Sequence, residues 1–296
     1  MTKKYQLILY FVLVGLLVLT GCSELTKQPV NGNPTPNQFD SAEQVKVHIL
    51  DIGQGDAILI QSTKDNILID GGNKGQGENV IQYLKKFNVK QLNAVISTHP
   101  DADHIGGLAD VIDAFPVKSV FAPRVTHTTF AYRNFLQSVK AKQLKIHVAK
   151  EGISIPVEEN MLKLQFIGPI KEYVQSDLND WSAVLLMQYG VNKFLFTGDA
   201  ETRAEEDMLA AHLIPKVDVL KVSHHGAKEA TNANFLSQAK PTYAAISVGT
   251  DNRYDHPTSE ALNRLKKAHA KIYRTDEDGT ITFSSNGKNI SVKEEK

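Results

Sequence analysis

Cysteine is nearly absent. Cys22 is the only one in 296 residues, so no disulfide can form within the chain. Tryptophan is as scarce, with Trp181 alone, and aromatic residues make up 7% of the chain. Few side chains are therefore on hand to stack on bases. Net charge is missing too: Lys plus Arg and Asp plus Glu each number 33. The chain as a whole thus lacks the electrostatic footprint of a nucleic-acid binder. No apolar run reaches the ~20 residues that a membrane-spanning helix needs, and no repeat of solenoid period is visible. What is there is a globular composition, 42% apolar and 22% charged. The length suits one large domain or two small ones.

The first residues stand apart. Lys3 and Lys4 precede the apolar run Leu7–Leu19, and Leu19-Thr-Gly-Cys22 follows. A basic start, an apolar centre and small residues at a cut site make an export signal. The last four residues resemble a bacterial lipobox. That resemblance implies a signal peptide over residues 1–21 and a lipid on Cys22; an uncleaved anchor is the alternative. Either one holds a domain at the cell membrane, facing outside the cytoplasm. Residues 22–44 contain Pro29, Pro34 and Pro36 and little apolar content, as a flexible linker does. The folded domain is expected over 45–293.

The densest chemistry lies in Thr98-His-Pro-Asp-Ala-Asp-His-Ile-Gly-Gly107. Four metal-capable side chains, His99, Asp101, Asp103 and His104, fall within six positions. An apolar strand, Ala94-Val-Ile96, precedes them. A helical pattern of Leu108, Val111, Ile112 and Phe115 follows. Asp and His are ordinary turn and cap residues, but four in so short a span point to a ligand site at a strand's carboxyl end.

Other strand ends repeat the theme. Val45–Leu50 and Ala57–Ile60 read as strands joined by Asp51-Ile-Gly-Gln-Gly-Asp56. A strand rather than a helix follows this Gly-x-Gly, which excludes a dinucleotide fingerprint and favours a tight hairpin with Asp56 turned to the site. Asn66–Ile69 ends in Asp70, a candidate to orient a ligand. Phe194–Phe196 ends in Thr197-Gly-Asp199, Val217–Val222 in Ser223-His-His-Gly226, and Tyr243–Val248 leads to Asn252-Arg-Tyr-Asp-His-Pro257. Strands interspersed with helices predict an α/β protein with mixed sheets. A metal site shared by these strand ends is the simplest account of them.

In this order, HxDxDH, TGD, SHHG and a late HP resemble the metallo-β-lactamase-fold hydrolases. The likeness is nearer still to the hydrolase domain of ComEC-type DNA-uptake proteins. It covers residues 45 to about 285. It implies an αββα sandwich with the site at one edge of two sheets, and two divalent ions, Mn, Zn or Mg. Carried over, His99 and Asp101 would hold one ion, Asp103 and His104 the second, and Asp199 would bridge them. His256 is favoured over His225 to complete the ligand shell of the second ion. His224 and His225 would then stand near the leaving group, and Asp103, His224 and His225 are the catalytic candidates. A further ligand expected near residues 170–185 has no His here; Asn179 or Asp180 would stand in. A carboxylate at Asp101 hardens the site toward manganese or magnesium.

Such an ion pair, ~3.5–4 Å apart, suits phosphodiester hydrolysis. The leading expectation is a surface-anchored nuclease acting on DNA, with Arg253 and Tyr254 binding substrate and Arg124 and Lys228 as further phosphate candidates. Hydrolysis of a small ester, lactone or amide is the second reading. A non-catalytic lipoprotein that binds metal or DNA is the third. β-Lactam hydrolysis is disfavoured, since the ligand set lacks a late Cys.

Overall fold

The computed structural model describes residues 44–296. The export signal, Cys22 and nearly all of the linker lie outside the described residues. Among the described residues no helix is long and apolar enough to cross a membrane.

Two sheets make the frame. The first takes β1 (Val45–Ile49), β2 (Ile58–Gln61), β3 (Asn66–Ile69), β4 (Ala94–Ile96), β5 (Val120–Ala122) and β6 (Ile146–Val148). The second takes β7 (Ser154–Ile155), β8 (Leu162–Phe166), β9 (Leu185–Tyr189), β10 (Asn192–Phe196), β11 (Val219–Lys221), β12 (Tyr243–Ile246) and β13 (Lys271–Arg274). The chain then returns to the first sheet with β14 (Ile281–Ser285) and β15 (Ile290–Lys293). The orders are β15-β14-β1-β2-β3-β4-β5-β6 and β13-β12-β11-β10-β9-β8-β7.

The periodicity of the strands explains the layers. In β3, Ile67 and Ile69 face the second sheet, while Leu68 faces the helices outside. Burial on both faces is why such strands read as unbroken apolar runs. Between the sheets, Val47, Ile60 and Ile96 pack with Phe166, Phe194 and Phe283. On the outer face of the first sheet lie α1 (Gly77–Lys86), α3 (Leu108–Ala114) and α4 (Phe130–Ala141), which follow or flank the short α2 (Ala102–Ile105). Their Val80, Leu84, Ile112 and Phe135 cover Leu59, Leu68 and Val95. On the second sheet α5 (Thr202–Ala210), α6 (Ala233–Ala239) and α7 (Ser259–Lys267) bring Met208, Phe235 and Leu265 onto Leu195, Leu220 and Ile246. The result is the expected αββα sandwich.

Two local expectations need correction. The β1–β2 connection is antiparallel but not tight; eight residues separate Ile49 from Ile58, and the loop reaches across to the His99–His104 segment, where Asp56 N donates to Asp103 O at 3.1 Å. Gly55 allows this approach: a Cβ there would sit 2.2 Å from Asp103 O. Asp103 and His104 stand on the helical turn α2, where β4 gives way to helix. Pro257 suits the first turn of a helix by sequence, but here it precedes the α7 cap, where the Thr258 hydroxyl accepts from Ala261 N.

Candidate metal centre

The parallel strands β3, β4, β10, β11 and β12 deliver their carboxyl ends to one side of the sandwich. Asp70 follows β3 there, fully buried and with φ 57. Its carboxylate accepts from Thr98 N at 2.8 Å, from the Thr98 hydroxyl at 2.7 Å and from His104 Nδ1 at 2.9 Å. Fixing the proton at Nδ1 turns the lone pair of His104 Nε2 toward the site. Asp199 follows β10, its N–H donating to the Ser182 hydroxyl at 3.0 Å. After β11, His224 and His225 take left-handed backbone angles, φ 47 and 54, a conformation that disfavours side chains with a Cβ. His225 Nδ1 donates to Ser247 O at 2.8 Å, so its Nε2 also faces inward as an acceptor.

These side chains meet. His104 Nε2 lies 3.1 Å from Asp199 Oδ2, and His225 Nε2 lies 3.4 Å from Asp103 Oδ2 and 3.7 Å from Asp199 Oδ2. Ligand atoms of Asp103, His104, Asp199 and His225 all fall within 4.8 Å of one another. On the other flank of Asp199, His99 Nε2 is 3.9 Å from its Oδ2 and 3.5 Å from Asp101 Oδ2. His224 Nε2 is 3.7 Å from the same oxygen, with Nδ1 3.0 Å from Glu201. Asp101, Asp103, His224, His225, His256 and Tyr254 line an open cleft of about 260 Å³.

The charge balance of the cleft follows from burial against proximity. Burial alone would push the Asp199 carboxyl up, but His104, His225 and His224 outweigh it and hold it well below the usual carboxylate range. Burial opposes ionisation of Asp103 as well, yet the His225 contact and the His104 charge leave it below its ordinary value. His104 is the counterpart: burial disfavours the imidazolium, and Asp199 with Asp70 overrides it and raises its pKa well above normal. Burial, then His224 and His225, lower that of His256. Carboxylates and imidazoles here share protons where a cation could stand.

The donor set fits a divalent metal. His99 Nε2, His104 Nε2, His225 Nε2 and Asp199 Oδ1 are buried and without a hydrogen-bond partner; the 3.1 Å approach of His104 to Asp199 is not aligned as a hydrogen bond. Each such orphan costs about 1–3 kcal/mol. A cation among Asp103, His104, Asp199 and His225 would satisfy three of them, and His99, 3.5 Å from Asp101, is left for a second. Residues 50–250 match the family model of the Metallo-beta-lactamase superfamily.

The chain belongs to that superfamily.

Among relatives, it is similar to ComE operon protein 3 of Bacillus subtilis, 32% identical over 256 residues that make up 80% of this chain and 33% of that protein. It is also similar to Recombination protein 2 of Haemophilus influenzae, 30% identical over 241 residues, 80% of this chain and 28% of that protein. The chain thus spans about a third of the length of these relatives. In fold it matches the metallo-beta-lactamase fold protein YhfI from Bacillus subtilis, with a TM-score of 0.54 and 12% identity over 82% of this chain and all of that one. The metallo-beta-lactamase likeness expected from the motifs is therefore shown.

The sequence-derived candidates distribute unevenly in this metallo-beta-lactamase site. His99, Asp101, Asp103, His104 and Asp199 come together. His225, rather than His256, joins the four-residue group. His256 stands at the cleft mouth, its ring 6.5 Å from that of His225 and 5.8 Å from Tyr254. Arg253 is turned onto Tyr254, donating to its hydroxyl at 2.6 Å. Of the two stand-ins, Asn179 lines the cleft, whereas Asp180 is buried facing α5, 3.4 Å from Ala204 N. Glu201, which holds both His224 and Asn179, was not singled out from sequence. Neither was Lys221, 2.7 Å from Asp56 beneath His225. A lone Lys inside an apolar strand was the available signal.

Proposed function

We propose that this chain is a metal-dependent phosphodiesterase that cleaves DNA, tethered outside the cytoplasm through Cys22. The observation that carries the reading is that more donors meet at Asp199 than one ion takes. Asp103, His104 and His225 group with Asp199, and His99, 3.5 Å from Asp101, reaches the same carboxylate at 3.9 Å, which suits two ions rather than one. Bound divalent ions, manganese or zinc or magnesium, would supply charge neutralisation for a phosphate and acidify a water. The chain's own residues do the rest. Asp70 holds His104 in its tautomer. His224 and His256 face the cleft without being needed by the four-residue group, and either is placed to pass a proton to a leaving oxygen.

DNA as substrate draws support from two sides. One relative is named as a recombination protein, and another, 27% identical and from Neisseria gonorrhoeae, as Competence protein ComA. The surface beside the cleft is also polarised. Asp101, Asp177, Glu201 and Glu229 edge a wide groove on one side, which repels a polyanion. A separate pocket of about 280 Å³ near β5 and β6 is lined by Arg124, Lys150 and Lys171 together with Glu172 and Trp181. Arg124 and Lys150 have no ion pair among the described residues; Lys171 pairs with Asp207 at 2.6 Å. Arg264, by contrast, is spent on the carbonyls of Thr231, Ala227, Lys228 and Ala230.

The test is incubation of the purified protein with single- and double-stranded DNA and manganese. Cleavage that EDTA stops and Asp103→Ala abolishes is expected. No cleavage, or equal cleavage by the variant, refutes the proposal. The modest volume of the cleft also suits a small ester or lactone. Bis-p-nitrophenyl phosphate beside p-nitrophenyl esters separates the two, and turnover of the esters alone would favour the second reading.

A further inference from the structure

Beneath the metal centre lies an ion pair that the proposed hydrolysis does not use. Lys221 Nζ stands 2.7 Å from Asp56 Oδ2, and each side chain is 1% exposed. Lys221 Nζ also donates to Val222 O at 3.0 Å. The two come from opposite sheets. Asp56 hangs on the long β1–β2 loop, and Lys221 ends β11 on the face that Val219 turns to the other sheet. The second oxygen of Asp56 is 3.4 Å from His225 Nδ1.

We propose that the Lys221–Asp56 pair is a positioning device that locks the His225 imidazole with its proton on Nδ1 and its lone pair on the metal side. The inference rests on the metal reading above. His225 Nδ1 donates to Ser247 O at 2.8 Å, and Asp56 Oδ1, which accepts no hydrogen bond, stands 3.4 Å from the same nitrogen. A proton on Nδ1 satisfies the carbonyl and is favoured by the nearby carboxylate, which leaves Nε2 free toward Asp103 and Asp199. Lys221 in turn fixes Asp56. It neutralises the carboxylate and holds one oxygen, so that the other keeps its aim. The backbone closes the frame: Asp56 O accepts from Gly72 N at 2.7 Å, and Asp56 N donates to Asp103 O. The β1–β2 loop thus meets both His225 and Asp103.

Stability alone does not describe such a pair. Taking both charges out of water offsets most of their attraction, and apolar residues of similar volume often replace a buried pair without loss. Its geometric effect is specific: the left-handed backbone at His225 swings the ring inward, and the acceptors behind it set the rotation.

Single substitutions leave one charge buried and unpaired, and such variants are prone not to fold. The informative variant is the charge-free double substitution Asp56→Leu with Lys221→Met. Three readouts are taken on the whole protein: melting temperature without metal, manganese affinity by calorimetry, and the His225 tautomer by ¹⁵N NMR in metal-free protein. The expected result is a melting temperature within a few degrees of wild type, manganese affinity lowered by about 10–100-fold, and a His225 signal shifted from pure Nδ1–H toward a tautomer mixture. Wild-type affinity with an unchanged tautomer overturns the proposal. So does an affinity loss that merely tracks a fall in melting temperature. If the wild-type protein binds no divalent ion, the metal reading fails. The tautomer signal then decides the positioning role by itself.

Discussion

Replacing Asp70 by Asn changes one atom and should disable the site from behind. Asp70 is fully buried and accepts three hydrogen bonds, two from Thr98 and one from His104 Nδ1. An Asn can keep Thr98 N as donor to its carbonyl. Its NH₂ then points at the Thr98 hydroxyl and at His104 Nδ1, 2.9 Å from the atom it replaces. Thr98 can rotate its hydroxyl to accept. His104 can only give up the Nδ1 proton and carry it on Nε2, where a metal needs a lone pair. Two costs follow. Losing one or two charge-assisted hydrogen bonds in a buried setting destabilises the fold by about 2–4 kcal/mol. Tautomer reversal lowers metal affinity by about 10–100-fold. Urea unfolding of the metal-free protein reads the first, and titration calorimetry with manganese reads the second. An Asp70→Asn protein with unchanged metal affinity would refute the reasoning, because His104 would then owe its orientation to something else.

Further predictions test separate parts of the account. His48 is buried on Phe87, their rings 3.9 Å apart, and burial first, with Lys46 second, lowers its pKa to about 3. The unfolded chain takes up a proton near pH 6.5 that the fold refuses until about pH 3. Stability contributed by neutral His48 is therefore full above pH 6.5 and lost as pH falls toward 3, by up to about 5 kcal/mol; His48→Gln should flatten that segment of the urea midpoint against pH. Arg124→Ala with Lys150→Ala should weaken binding of single-stranded DNA and lower its log-salt slope by about 1.4. Turnover of bis-p-nitrophenyl phosphate should stay the same. Gly226→Ala should destabilise by about 1–3 kcal/mol, because its φ is +83 and the added Cβ would lie 2.6 Å from Pro257 Cβ; denaturant unfolding checks it.

Much of this architecture was legible in the residues, for reasons that differ by element. Strands buried on both faces announce themselves as apolar runs, as Asn66–Ile69 and Phe194–Phe196 do. The ligand-bearing turns were legible because local spacing alone crowds His99, Asp101, Asp103 and His104 together. What spacing could not settle was the choice between His225 and His256. The place of His225 in the four-residue group rests on Ser247 O, just past a distant strand, and on two left-handed residues in succession that no local preference announces. The width of the β1–β2 loop was hidden for a similar reason: its Gly55 serves the close pass at Asp103 rather than a tight turn. Lys221 and Glu201 matter only through partners more than twenty residues away or across a turn, so neither carries a local signature.

The most direct test is an anomalous-scattering map from crystals of the protein grown with manganese. The account predicts a peak bonded to His104 Nε2, His225 Nε2 and Asp199, and a second on the His99–Asp101 flank of that carboxylate. A cleft with no anomalous peak, in protein that is folded and saturated with manganese, would contradict it.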